Sequence, residues 1–408
     1  QRSGTCDGRS TMIPHLRQKF NAEFTPEKYR QFLARLEAAC GTAIPFRNSE
    51  TPCFFPKPLL ACCVECGNDL LQQLFVENSG YQTASLRCVP PEFNVPGETS
   101  HPLFVQADFG LARDMAGELQ PRLVEIQGFP SLYAYQETLA RAYIESYGLD
   151  PRLKFLLSGL DIEAYRSLLR RAILGGHDPR NVVLLEVNPL EQKTLPDFLL
   201  TERIYGIRTV NLLEIEKHGR TLFYRHEGKR IPIRRIYNRV IADELMRKKI
   251  HPPFDFREKL DVEWAGHPNW FFRLSKFSLP YLKHPCVPRT WFLDQLSELP
   301  ADPENYVLKP LFSFSGIGVV VGPSHQDLEA VPPASRFQYI LQERVRFEPV
   351  IQTPFGPTLA ELRIMYIWLD SPVAGPILVR TGRGKMMGVD HNRDMEWVGA
   401  SAGLYLEE

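Results

Sequence analysis

Excess charge of one sign, long hydrophobic runs and paired cysteine motifs are all missing from this chain of 408 residues. Lysine and arginine total 48 and aspartate and glutamate 48, a formal net charge of zero, so a nucleic-acid partner held by bulk electrostatics is excluded. No apolar run approaches the length of a membrane span, so no membrane partner is expected. Gln1 to Met12 lacks the apolar core of a signal peptide and reads as an unstructured leader. Eight cysteines are too sparse for a disulfide scaffold and fit a reducing, cytoplasmic setting. Internal repeats and low-complexity segments are absent, and proline and glycine are scattered rather than gathered into a linker. What is present is ample apolar material. Hydrophobic residues make up 44% of the chain, enough for a large core divided among two or three domains.

Three regions follow from the patterning. Thr25 to Gln73 is helical, interrupted by turns at Pro45, Pro52, Pro56 and Pro58. Thr25-Pro26 is a helix start, with threonine as cap and proline at the first helical position. Pro102 to Phe109 and Arg122 to Gln127 read as two strands, and a helix follows from Leu132 to Tyr147. In the middle, Asn181 to Val187 is a continuous apolar strand, Leu195 to Tyr205 a helix and Arg208 to Leu213 a second strand. That order predicts a βαβ unit in a parallel sheet covered on both faces. Thr221 to Arg234 reads as a hairpin turning at Glu227-Gly228, with Ile236 to Val240 as a further strand.

The third region carries the strongest local signal. Tyr306-Val-Leu-Lys309 is a short apolar strand ending in a lysine. A loop containing Ser313, Ser315, Gly316 and Gly318 follows, and then a second strand ends at Val321. A lysine on a rigid strand beside small residues whose backbone N–H groups can close over phosphates suits a polyphosphate. No Gly-Lys-Ser/Thr follows the glycines, so the loop is not a P-loop. Upstream stands Ser275-Lys276. Downstream, Gln338 to Val345 is an apolar strand whose end supplies Gln342 and Glu343; Glu361-Leu-Arg363 opens another strand, and Leu378-Val-Arg380 runs into Gly382.

Two lysines about thirty residues apart, a Ser/Gly loop, a Gln-Glu strand and a Glu-x-Arg strand resemble, in that order, the ATP-grasp fold. The resemblance implies that Lys276 and Lys309 contact the nucleotide phosphates and that Gln342, Glu343 and Val345 meet adenine and ribose. That family's metal ligands normally come last, and nothing after Arg380 matches them. Asp108 and the run Glu125-Ile-Gln127-Gly-Phe-Pro-Ser131 resemble them instead. Metal strands first and phosphate lysines later is the order of the circularly permuted ATP-grasp proteins, among them eukaryotic-type glutathione synthases and glutathionylspermidine synthases. This implies an α/β fold: an N-terminal helical and irregular region over 1–100, permuted metal-binding strands over 101–150, a Rossmann-like pre-ATP-grasp domain over 151–265 and nucleotide-binding lobes over 266–408. Two positions depart from the pattern. Gln127 stands where the family has asparagine, and Ser313 where glutathione synthases have glutamate. The nucleotide and metal sites are therefore carried over, and the glutathione substrate is not.

The chemistry agrees with the resemblance. ATP activates a carboxylate by forming an acyl phosphate, a transfer that needs positioning and charge neutralisation. Asp108, Glu125 and Gln127 are ligand types that suit magnesium, and residues 125 and 127 share one strand face. Arg363 and Arg380 are fixed cations that would steady the transferring phosphoryl group. The expectation is an ATP- and magnesium-dependent, ADP-forming ligase joining a carboxylate to an amine, or to a thiol, with a non-catalytic nucleotide-binding protein as the alternative. Each residue also has an ordinary role open to it. A solvated sheet edge gives Glu125 and Gln127 the same alternation, and Asp108 would suit an Asx turn before Gly110. Ser-Lys pairs start exposed helices, and Arg363 would pair with Glu361. Cys63-x-x-Cys66 is half of a zinc knuckle without a second Cys-x-x-Cys or a His-x-x-x-His pair, and reads as buried packing on a helix. The basic run from Lys229 to Lys249 reads as mostly solvated, with a fraction lining a cleft for a carboxylate.

Overall fold

Local signals start most elements, and long-range pairing then assembles them. In the computed structural model, which describes residues 12–313 and 316–407, Thr25 Oγ1 accepts the Lys28 amide at 3.2 Å to open the helix Pro26–Cys40. Gly41, at φ 76°, closes that helix in the left-handed region that glycine enters without cost. Ser315 and the expected leader before Met12 lie outside the described residues. A third helix, Lys57–Gln72, runs into a single π-turn, Gln73–Glu77. Together these 21 residues form, among the described residues, one helix long and apolar enough to cross a membrane, longer than the sequence pattern suggested. It serves as core: Leu59, Leu60, Leu70 and Leu71 pack with Val105, Phe109, Leu362 and Ile364.

Those last four residues belong to the central sheet, which joins the two ends of the chain. Its strands run in the order Cys53–Phe54, Gly399–Leu404, Pro372–Gly382, Gly356–Trp368, Phe104–Arg113 and Leu119–Gln127, with Ile351–Thr353 pairing separately onto Gly356–Trp368. The N-terminal hundred residues thus supply an edge strand that lies parallel to Gly399–Leu404. Because side chains alternate along a strand, one face of the sheet takes Val105, Ala107, Phe109, Leu362 and Ile364 into the core. The opposite face carries Gln106, Asp108, Glu361 and Arg363. Phe104, Met365 and Ile367 continue that second face into another core, against the helix Ile162–Leu174.

The βαβ reading holds. Val182–Glu186 lies parallel to Arg208–Asn211 with the helix Leu195–Tyr205 between them, and Arg235–Asn238 and Glu263–Ala265 extend the sheet, also parallel. The hairpin of Thr221–His226 and Lys229–Ile233 turns at Glu227 and Gly228, both at positive φ, as a two-residue turn requires. The last sheet is antiparallel, in the order Thr290–Phe292, Tyr339–Glu343, Tyr306–Pro310 and Val320–Val321. It leans on the central sheet at the strand Leu119–Gln127, where Val124 is an extra residue between Leu123 and Glu125 in the ladder.

Candidate functional site

The polar face of the central sheet brings the expected charged residues into one network. Asp108 stands opposite both Glu125 and Arg363, Gln106 opposite Gln127, and Glu361 opposite Arg380. Asp108 is therefore inside a strand and not at a turn. Both of its oxygens accept from Arg363, at 2.6 Å each from Nε and Nη2, and Arg380 donates to it as well. Burial opposes the charge on Asp108, but the two guanidiniums outweigh it and hold the carboxyl below its ordinary range. Glu361 pairs with Arg380 and not with Arg363, and burial pushes its carboxyl up against that attraction.

Gln106, which sequence reasoning did not single out, links the strands. Its Oε1 accepts from Arg363 Nη1 at 2.8 Å and from Gln127 Nε2 at 3.1 Å. The amide nitrogen of Gln127 is thereby occupied.

Both lysines reach the same place from the other side. Lys309, in the strand Tyr306–Pro310, donates to the carbonyl of the bulged Val124 at 2.9 Å and to Gln342 Oε1 at 2.6 Å. It is 6% exposed, and burial pushes its pKa down to about 8. Lys276 opens the short 3-10 helix Lys276–Tyr281 but is buried; it donates to the Ser313 carbonyl at 2.7 Å and lies 3.2 Å from Glu125. The loop between the strands turns through Gly316 and Gly318, at φ 73° and 74°. A Cβ on Gly318 would stand 2.9 Å from Pro310 Cγ, so no other residue fits without a shift. Glu343 is held by Arg289 at 2.7 Å, and Val345 lies beyond the end of its strand.

Three buried donors in this network have no partner among the described residues: Ser313 Oγ, Gln342 Nε2 and Arg380 Nε. Buried polar atoms are normally satisfied, and an orphan costs about 1–3 kcal/mol. Four cations (Lys276, Lys309, Arg363 and Arg380) face three carboxylates (Asp108, Glu125 and Glu361). The cluster is thus one positive charge in excess, with donors to spare for an anion. Two surface clefts, of about 530 and 390 Å³, lie elsewhere.

A second polar cluster sits at the carboxyl ends of the parallel strands, where open α/β sheets hold ligands. Arg239, two residues past the Tyr237 register position, is 2% exposed and lies over Phe129 and Phe198, with its charge centre 4.9 and 5.5 Å from the ring centres. Its Nε and Nη1 have no partner, and Nη2 reaches Ser131 and Thr194 only at 3.5 Å. Beside it, Glu186 ends its strand buried, and that burial pushes its carboxyl up to about 8. Asp197 accepts the amides of Leu132, Ala134 and Tyr135, capping the helix Tyr133–Tyr147. Leu132 holds φ 63°, a strained conformation for a leucine, immediately after Ser131. Of the basic run, Arg239 is thus the buried member, whereas Arg230, Arg247 and Lys249 are exposed. The signal available in the sequence was a glutamate ending an otherwise apolar strand.

No family profile and no curated protein matches this chain. Among solved structures, a glutathione synthetase-like effector from Globodera pallida, in its apo form, superposes with a TM-score of 0.58 at 14% identity, covering 97% of this chain and 99% of that one. At that identity the likeness is one of fold: this is a mixed α/β protein built like a glutathione synthetase-like protein.

Proposed function

We propose that the chain is an ATP-grasp protein of circularly permuted order, acting as an ATP-dependent, ADP-forming ligase that joins a carboxylate to an amine or, less favourably, a thiol. The observation that supports it most is the set of unpartnered buried donors, Ser313 Oγ, Gln342 Nε2 and Arg380 Nε, beside two buried lysines. Phosphate oxygens would satisfy all of them. Lys309 and Lys276 would hold the phosphates, the Gly316–Gly318 turn would close over them, and the strand end at Gln342 and Glu343 would meet the base.

The donor set fits magnesium in part. Glu125 and Gln127 offer a carboxylate and an amide oxygen, which a hard cation accepts. Asp108 has both oxygens engaged by Arg363 and Arg380, so in this arrangement it positions arginines. When bound, magnesium would neutralise phosphate oxygens. A substrate carboxylate would sit on Arg239, whose free N–H groups form a planar donor fork. In the reaction a carboxylate oxygen attacks the γ-phosphorus and ADP leaves. The amine nitrogen then attacks the acyl carbon, the carbon–oxygen bond to phosphate breaks, and the amine loses a proton. Arg380, reaching across the sheet, would stabilise the charge on the transferring group.

A second reading, nucleotide binding without chemistry, is favoured by one feature: the paired state of Asp108. The two readings part on ADP release. Release stimulated by a carboxylate–amine pair supports the ligase, and binding without turnover under any pair supports the alternative.

A further inference from the structure

The half-knuckle Cys63-x-x-Cys66 finds its second half in space. Both cysteines lie on one face of the helix Lys57–Gln72, three positions apart, and both are buried. The turn at His284, closed by the Val287 amide on the His284 carbonyl at 2.8 Å, carries His284 and Cys286 against that face. Cys66 Sγ, a ring nitrogen of His284 and Cys286 Sγ lie within 4.8 Å of one another.

The imidazole is oriented as metal-bound histidines are. Its Nδ1 stands 3.0 Å from Cys286 Sγ and accepts the Cys286 amide at 3.2 Å, so its one lone pair faces Cys286 and would pass from that amide to the metal on binding. Its other nitrogen, Nε2, faces the Asp69 carboxylate at 3.4 Å. A carboxylate behind a histidine fixes its tautomer and raises its basicity toward a metal. Cys63, three positions before Cys66, is fully buried on the same helix face.

We propose that Cys66, His284 and Cys286 hold a zinc ion, with Cys63 closing the tetrahedron as the fourth ligand. Sulfur and imidazole donors select this class of thiophilic divalent cation over calcium or magnesium. Tetrahedral sulfur ligands at about 2.3 Å from zinc stand roughly 3.8 Å apart, so Cys66, His284 and Cys286 need only a small contraction. Binding displaces the thiol protons to solvent. His284 is half-buried, which leaves an entry path. The ion would pin the helix to the loop between Lys276 and the strand Thr290–Phe292. That loop already supports the nucleotide face: the Cys286 carbonyl accepts the Leu123 amide at 2.7 Å, next to the Val124 carbonyl that receives Lys309. The inference is independent of the ligase reading, because metal content is read without nucleotide.

The test is elemental analysis of the full chain, purified under reducing conditions from zinc-supplemented cells and desalted, beside His284→Gln and Cys286→Ser. About one zinc per chain in the wild type, falling at least roughly ten-fold in both variants, is the expected result. Because either variant could unfold, the wild type is also stripped with a chelator and titrated with cobalt(II). The visible bands of a tetrahedral site and near-ultraviolet thiolate charge transfer are expected. Wild-type protein that retains no zinc and gives no such spectrum overturns the proposal. So does zinc retained unchanged in both variants, or a Cys66–Cys286 disulfide found by mass spectrometry in the reduced preparation.

Discussion

Asp108 accepts two hydrogen bonds from Arg363 at 2.6 Å each, across directly opposed positions of neighbouring strands. The residues are 255 positions apart in the chain, yet the carboxylate and guanidinium form a parallel fork within the sheet. Such a pair is costly to break from one side, because the partner remains as an uncompensated buried charge. Asp108→Ala should therefore destabilise the fold by about 3–5 kcal/mol. Urea denaturation followed by tryptophan fluorescence measures this, and an unchanged midpoint contradicts it.

Nucleotide affinity should depend on the protonation of Lys309. Its pKa in the fold is about 8, lowered by burial from the ordinary lysine value, so the charge that phosphates need is lost as pH rises through that range. ATP affinity measured between pH 7 and 9.5 should fall on the alkaline side. In Lys309→Arg, whose charge does not titrate there, the fall should disappear even if overall affinity is lower. A wild-type profile flat to pH 9.5 contradicts the assignment.

Glu186 predicts a slope in stability. Its folded pKa, about 8, lies above that of an unfolded glutamate, so the native state binds the extra proton between the two values. Stability contributed by the protonated form is full below the ordinary glutamate range and is lost as pH rises through about 8. The slope approaches 1.4 kcal/mol per pH unit in that window. Glu186→Gln should flatten it, as chemical denaturation at pH 5, 6, 7 and 8 would record. Equal slopes in the two proteins contradict the prediction.

How much of this was legible in the sequence depends on the range of each contact. The unit from Val182 to Asn211 could be read because parallel strands buried on both faces are continuously apolar, and the helix between them carries its own period. The cap at Thr25 and the turn at Glu227-Gly228 are local chemistry, and both appear as expected. The Ser/Gly loop and the two lysines were visible as types in order. The pairing of Phe104–Arg113 with Gly356–Trp368 was not, because no local pattern states which distant strand completes a sheet. The Asp108–Arg363 fork, the link through Gln106 and the bulge at Val124 follow only from that register. Arg239 was hidden for a related reason: in an alternating basic run nothing local distinguishes the buried guanidinium from the solvated ones. His284 and Cys286 lie more than two hundred positions beyond Cys66 and meet it only in the fold.

The central claim is that the network of Lys276, Lys309, Ser313, Gln342 and Arg380 binds the phosphates of ATP. The most direct test is isothermal calorimetry of ATP, with magnesium, into the full chain and into Lys309→Ala, each first shown by circular dichroism to be folded. The account predicts saturable binding to the wild type and a loss of at least about ten-fold, or 1.4 kcal/mol, in the variant. No binding to the wild type, or equal affinity in both, would contradict it.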